Sequence, residues 1–208
     1  MYLVMNTLAQ QLVETCHFFG ERQWCPATGG NFSARLDAQH CLITRSGCDK
    51  SRLVTGDLIT CNLDGEALDT AHKPSAETAL HTRLYQLDDN IGCVLHTHSV
   101  NSTVLSRLVK AELQITGYEM QKSLSANATH EDTISVAVFD NSQDIPALAH
   151  RVARQYNNGK LTQPGLLVRG HGLYAWGKDI DEARRHIEGF EFIFACLLQE
   201  KMTGVITA

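Results

Sequence analysis

The chain has 208 residues, enough for one domain with a full core and short for two. Hydrophobic residues make up 43%, charged residues 20%, and the net charge is −5, the balance of an ordinary soluble globular protein. There is no Lys/Arg run, which excludes the usual nucleic-acid and anionic-membrane surfaces; an anionic substrate would need a local donor set against the mean field.

From the N-terminus, residues 4 to 20 place Leu8, Leu12, Cys16 and Phe19 at a helical period that Gly20 closes. This start lacks a basic region and a long apolar run, so neither a signal peptide nor a membrane span is expected. The Gly-rich turn of PATGGNFSARL feeds a strand, and HCLITRSGCDK is a second strand ending in a polar turn. DLITCNLDGEAL reads as a hairpin turning at Asp64-Gly65. KPSAETALHTRLYQL opens on Pro-Ser and carries a helical stripe through Ala76, Leu80, Leu84 and Leu87.

IGCVLHTHS is a buried strand, and the short helix after it puts Val100, Val104 and Leu108 on one side. LQITGYEM and TISVAVF are further strands, and DIPALAHRVARQYNN is a helix with Asp144 as its N-cap. GLLVRGHGLYAWG gives two short strands around a glycine-flanked histidine. Asp179 to Met202 is one long amphipathic helix through Ile180, Ala183, Ile187, Phe190, Phe194 and Leu197. Helices and strands mix without strict alternation, which implies a single α/β domain over residues 1–208, its mixed sheet covered by helices. The seven cysteines, an odd number with no C-x-x-C pair, fit free thiols in a reducing cytoplasm.

Chemistry concentrates at a few turns. On a strand, residues i and i+2 face one way, so His96 and His98 present two imidazoles side by side, as two ligands of one divalent metal would be presented. His171 between Gly170 and Gly172 is the best third ligand. Three histidines with an open fourth position describe a catalytic metal. The competing reading is a capped histidine pair and a turn histidine. The other seven (17, 40, 72, 81, 130, 150 and 186) read as surface or satisfied core residues.

Thr28, Gly29, Gly30 and Asn31 form a turn whose successive N–H groups can cradle an anion. Arg45-Ser46-Gly47 is a second small polar turn, and Ser75 stands near a helix N-terminus, where the dipole favours negative charge. Singly, each is more often only a turn; together, beside a metal, they favour a phosphorylated substrate. Two carboxylates remain, Glu77 in PSAE and Glu119 in GYEMQK. Taken singly, each is more often a solvated surface group.

In this order, TGGN, RSG, PSAE, HTHS and GHG resemble the class II aldolase family over nearly the whole chain. That family includes metal-dependent sugar-phosphate aldolases, ribulose-phosphate 4-epimerases and a dehydratase. The resemblance implies a three-layer α/β/α sandwich with a mixed central sheet. CPATGGN, KPSAET, HTHSVNSTVLSRL, YEMQK and VRGHGLYAWG resemble in particular the branch that dehydrates 5-methylthioribulose 1-phosphate in methionine salvage.

By this resemblance His96, His98 and His171 hold one Zn2+ per subunit, and Gly30, Asn31, Ser46, Gly47 and Ser75 hold phosphate. Ala76 departs from a serine that some aldolases carry there. The aldolase acid/base glutamate falls on Glu77 and the dehydratase one on Glu119; the YEMQK context favours Glu119. The implied chemistry removes a proton from C3 and the hydroxyl from C4, with the metal as Lewis acid and a carboxylate moving protons.

Relatives are commonly homotetramers with sites near subunit interfaces, so the implied partners are a small sugar phosphate and further copies of the chain, without nucleic acid or membrane. The runner-up is an aldolase or epimerase on another short sugar phosphate. It would use Glu77 and often a tyrosine from a neighbouring subunit, for which Tyr118 or Tyr174 could be nominated. A third reading, a scaffold of the kind that has lost its metal ligands, is opposed by the three histidines.

Overall fold

The computed structural model describes residues 2–68, 72–125 and 127–204. Its strands are β1 (Asn31–Arg35), β2 (His40–Thr44), β3 (Leu58–Asn62), β4 (Cys93–Thr97), β5 (Glu112–Ile115), β6 (Ile134–Phe139), β7 (Gly165–Val168) and β8 (Gly172–Gly177). They form one sheet in the order β3-β2-β1-β4-β8-β7-β6-β5. Only β6 and β7 pair in parallel; the other neighbours are antiparallel, so the sheet is mixed.

The helices are α1 (Tyr2–Glu21), α2 (Thr78–Leu87), α3 (Val100–Leu108), α4 (Ile145–Asn157) and α5 (Ile180–Thr203). Successive strand residues face opposite ways, so one sheet feeds two cores. Phe32, Leu95 and Leu173 pack with Leu12 and Phe19 of α1, Leu105 of α3 and Phe190 and Phe194 of α5. Val94, Tyr174 and Trp176 pack on the other face with Leu80 and Leu84 of α2 and Leu148 and Val152 of α4. This is the expected three-layer sandwich. Each Leu or Phe buried in these layers contributes about 1.5–3 kcal/mol.

Local chemistry sets the helix ends. Asp144 accepts from the Ala147 N–H at 2.9 Å, and Asp179 from the Glu182 N–H at 2.8 Å, each closing an open donor of a first turn. The hairpin turns at Asp64-Gly65 as expected, but among the described residues its return arm forms an isolated bridge, Cys61 with Ala67, and no strand of its own. Three expectations shift. The strand expected across LQITGYEM ends at Ile115, and Glu119 and Met120 fall in a 3₁₀ segment. Helix α2 begins at Thr78, so Ala76 lies before it and is exposed. The Val100, Val104 and Leu108 side of α3 faces outward, because Ser102, Leu105 and Ser106 take the inner face. All seven cysteines are free. No described helix is long and apolar enough to cross a membrane.

Candidate metal centre and active site

The end of β4 and the turn between β7 and β8 meet in the middle of the sheet. The Nε2 atoms of His98 and His96 lie 2.8 Å apart, and those of His96 and His171 3.3 Å apart. The Glu77 carboxylate, just before α2, comes within 3.2 Å of both His96 Nε2 and His171 Nε2. These four side chains can each offer a ligand atom, and those atoms all lie within 4.8 Å of one another. Behind them the Tyr174 ring stacks on His96 with centroids 3.8 Å apart, and its hydroxyl donates to Glu77.

The donor set fits a metal. His96 Nδ1 donates to the Leu173 carbonyl at 2.9 Å, which fixes the tautomer and leaves the Nε2 lone pair facing the cluster. Burial holds the His96 ring far below its ordinary basicity, against the pull of Glu77. Burial, with His171 nearby, brings His98 down to about 4. Neutral imidazoles crowded nitrogen to nitrogen cannot all satisfy one another, because each has one N–H. A shared divalent cation does satisfy them, and three imidazole nitrogens are a donor set that suits Zn2+ with a fourth position left to another group. Burial pushes the Glu77 carboxyl up, but hydrogen bonds from His171 and Tyr174 outweigh it and favour the ionised form.

The anion turns stand beside this centre. Asn31 lies directly opposite His96 in the β1–β4 pair. Gly30 has φ +75°, and a Cβ there would meet the His96 carbonyl oxygen at 2.7 Å, so only glycine lets the turn approach the metal strand. The other two turns are joined: Ser46 N–H donates to the Lys73 carbonyl at 3.0 Å and Ser75 N–H to the Thr44 carbonyl at 3.3 Å. Ser75 Oγ accepts from the Glu77 N–H at 3.2 Å. Lys50, 1% exposed, ties the first turn to the second by donating to the Thr28 carbonyl at 3.0 Å and the Cys48 carbonyl at 2.8 Å.

Glu119 lies elsewhere, on the chain's own surface. It opens a short 3₁₀ segment, Glu119–Ser123, with its side chain 72% exposed. It pairs with Lys122 Nζ at 2.7 Å and His130 Nδ1 at 3.1 Å; the Lys122 hydrogen bond draws its carboxyl below the usual range. One chain therefore brings Glu77, but not Glu119, to the histidines. Of the two nominated tyrosines, Tyr174 stands behind Glu77, and Tyr118 bonds Glu200. Lys50 escaped the sequence reading, and His81, read there as a surface or satisfied core residue, is the latter, with its link to Asn31 unseen. A buried lysine in a polar turn leaves no trace in hydropathy, and a helix histidine none in spacing.

A mixed-sheet α/β sandwich with a three-histidine centre at its strand ends defines a class, and a family model agrees. Residues 10–198 match the class II aldolase and adducin N-terminal domain, and the chain belongs to that family. A Pectobacterium atrosepticum protein named methylthioribulose-1-phosphate dehydratase is 55% identical over 198 residues, covering 95% of this chain and 96% of that one. A protein of the same name from Yersinia enterocolitica is 54% identical, covering 95% and 94%. Among solved structures, an L-fuculose-1-phosphate aldolase from Thermus thermophilus superposes with TM-score 0.77 at 25% identity, covering 97% of this chain and 98% of that one. YgbL from Escherichia coli gives 0.81 at 22% identity, covering 95% and 91%, a likeness of fold.

Proposed function

We propose that this protein is a zinc-dependent hydro-lyase that converts 5-methylthioribulose 1-phosphate to 2,3-diketo-5-methylthiopentyl 1-phosphate and water, in methionine salvage in the cytoplasm. The enzyme class is carried by the convergence of His96, His98 and His171 with Glu77. The choice of dehydratase over aldolase is supported by 54–55% identity, over 93–95% of the chain, to proteins of that one name. In this reading residues 1–208 act as one domain.

His96, His98 and His171 would hold the zinc, which supplies Lewis-acid polarisation of the substrate oxygens beside the reacting carbons. Gly30 and Asn31, with Ser46, Gly47 and Ser75, take the phosphate, so binding at the far end positions C3 and C4. A carboxylate removes the C3 proton, and hydroxide leaves C4 with a proton to give water. The resulting C3 enol then ketonises. We assign the proton transfers to Glu119. Glu77, held ionised beside the imidazoles, keeps them in place.

Glu119 reaches this chemistry in an assembly: exposed on its own chain, it is free to enter the site of a neighbouring copy. Support for a homo-oligomer, a tetramer by resemblance, comes from the apolar groove of Val100, Val104, Leu108, Leu198 and Met202, and from Phe192, 55% exposed on α5. The contact of Glu77 with the histidines is the one observation that favours the runner-up, aldol cleavage of another short sugar phosphate. Incubation of purified protein with methylthioribulose phosphate tests both readings. A diketone and one water per turnover support the dehydratase; two shorter carbon fragments would replace it with the aldolase.

A further inference from the structure

Behind Asn31 runs a line of buried side chains. Asn31 Oδ1 lies 2.6 Å from His81 Nε2, and His81 Nδ1 lies 2.7 Å from Ser33 Oγ. Ser33 Oγ lies 2.7 Å from the Tyr85 hydroxyl. His81, Ser33 and Tyr85 are 0% exposed and Asn31 is 5% exposed. The amide nitrogen of Asn31 has no partner among the described residues, and Asn31 shares the sheet face of its cross-strand neighbour His96.

The direction of this line follows from its protons. Burial brings His81 down to about 4, so at neutral pH it carries one N–H. The Tyr85 hydroxyl meets only Ser33 among the described residues. Its proton must therefore go to Ser33, since a buried hydroxyl proton without an acceptor is costly. The Ser33 hydroxyl then donates onward to His81 Nδ1, which must be the bare nitrogen. That leaves the proton on Nε2, pointing at Asn31, where only the amide oxygen can accept it. The reverse direction would strand the phenol proton and present the Asn31 oxygen, an acceptor, to the site.

We propose that His81 is a positioning residue: it holds the Asn31 amide oxygen and so turns the Asn31 NH2 group into the site as a fixed hydrogen-bond donor for an acceptor oxygen on the substrate. Naming that acceptor as phosphate rests on the phosphate reading given above. Asn31 would thus be pre-oriented for an anion with no reorganisation at the moment of binding.

Imidazole nitrogen NMR on the 15N-labelled, zinc-loaded native protein tests the relay directly. His81 is expected to be protonated at Nε2 and bare at Nδ1; protonation at Nδ1 instead overturns the proposal. Tyr85→Phe removes the proton that sets the direction and is expected to give a mixture of both forms. The second arm is inhibition by inorganic phosphate in Asn31→Ala, His81→Phe and the double variant, with zinc content measured in each.

Each single variant should weaken phosphate about ten-fold, the scale of one lost hydrogen bond to a charged group, and the double variant no more than Asn31→Ala alone. Additive losses would show that His81 does not act through Asn31 and overturn its positioning role. If Asn31→Ala leaves phosphate inhibition unchanged while His81 keeps its proton on Nε2, the relay stands and the phosphate reading of this turn falls.

Discussion

Glu77 and Glu119 lie in two contrasting regions. Glu77 is 14% exposed and hemmed in by His96, His171 and Tyr174. Glu119 is 72% exposed and, among the described residues of its own chain, pairs only with Lys122 and His130. A carboxylate held ionised among buried imidazoles is well placed to orient them and poorly placed to take and return protons. A carboxylate in the open can trade protons, provided that something brings it to the substrate. The difference teaches that proximity within one chain and fitness for proton transfer need not coincide.

The largest effect should fall on the shared centre. His96→Ala is expected to lose most of the bound zinc and all measurable turnover, read by elemental analysis and product assay; full activity without metal would remove the centre from the comparison. Glu119→Gln should keep zinc and substrate affinity while turnover falls by about two to four orders of magnitude, the usual scale for a lost acid/base group. The comparison sharpens if the two defects are mixed. Hybrids of Glu119→Gln with His96→Ala should regain activity, because one copy supplies the metal and its neighbour the glutamate. Unrestored activity would place Glu119 outside any neighbouring site.

Asn31→Asp replaces a donor with a repelling charge and should raise KM by about 10–100-fold with zinc content unchanged. Unaltered affinity counts against the phosphate turn. Glu77→Gln should loosen zinc by about 10–100-fold, the range for losing a group that supports metal ligands, with turnover largely restored in excess zinc. A severe loss at saturating zinc, beside near-normal Glu119→Gln, would reverse the two roles and revive the aldolase-like mechanism.

The last effect is on stability rather than on activity; it concerns a third carboxylate and isolates what burial does without histidines. Glu191 is 2% exposed, and its Oε1 accepts from Ser99 Oγ at 2.7 Å. Burial raises its carboxyl from 4.5 to about 7, against the lowering by Ser99 and Asn101. The folded state thus binds this proton more tightly than the unfolded chain. Its contribution to stability is complete below about pH 4.5 and is lost as pH rises through about 7, on the order of 3 kcal/mol. Glu191→Gln should flatten that part of the pH–stability curve, measured by denaturant unfolding. An unchanged curve would mean that Glu191 is ionised like Glu77.

Most of the architecture was legible. The periodicities of α1, α4 and α5 and the apolar runs of β4, β7 and β8 stand where the spacing put them, because each is long or strongly patterned. Helix α3 shows the limit: its apolar side was visible, but not that Ser102 and Ser106 would turn inward and leave Val100 and Val104 exposed. The i, i+2 spacing of His96 and His98 also showed one shared side. Lys50 and His81 did not show, since their meaning lies in contacts 22 and 50 residues away along the chain.

The sequence by itself determined the family, the mixed α/β sandwich and the short list of histidines, glycines and glutamates in which chemistry could reside. These depend on side-chain period, turn chemistry and ordered motifs, all of them local in the chain. Only the tertiary structure decided that β4 and β8 would be neighbours, so that His171 and Tyr174 meet His96 from 75 and 78 residues away in sequence. It alone decided which glutamate the histidines would grip and which way the Asn31 amide would face. The physical reason is that proton state and hydrogen-bond direction are set by burial and by the partners that folding brings together, and neither is a property of any short stretch of chain.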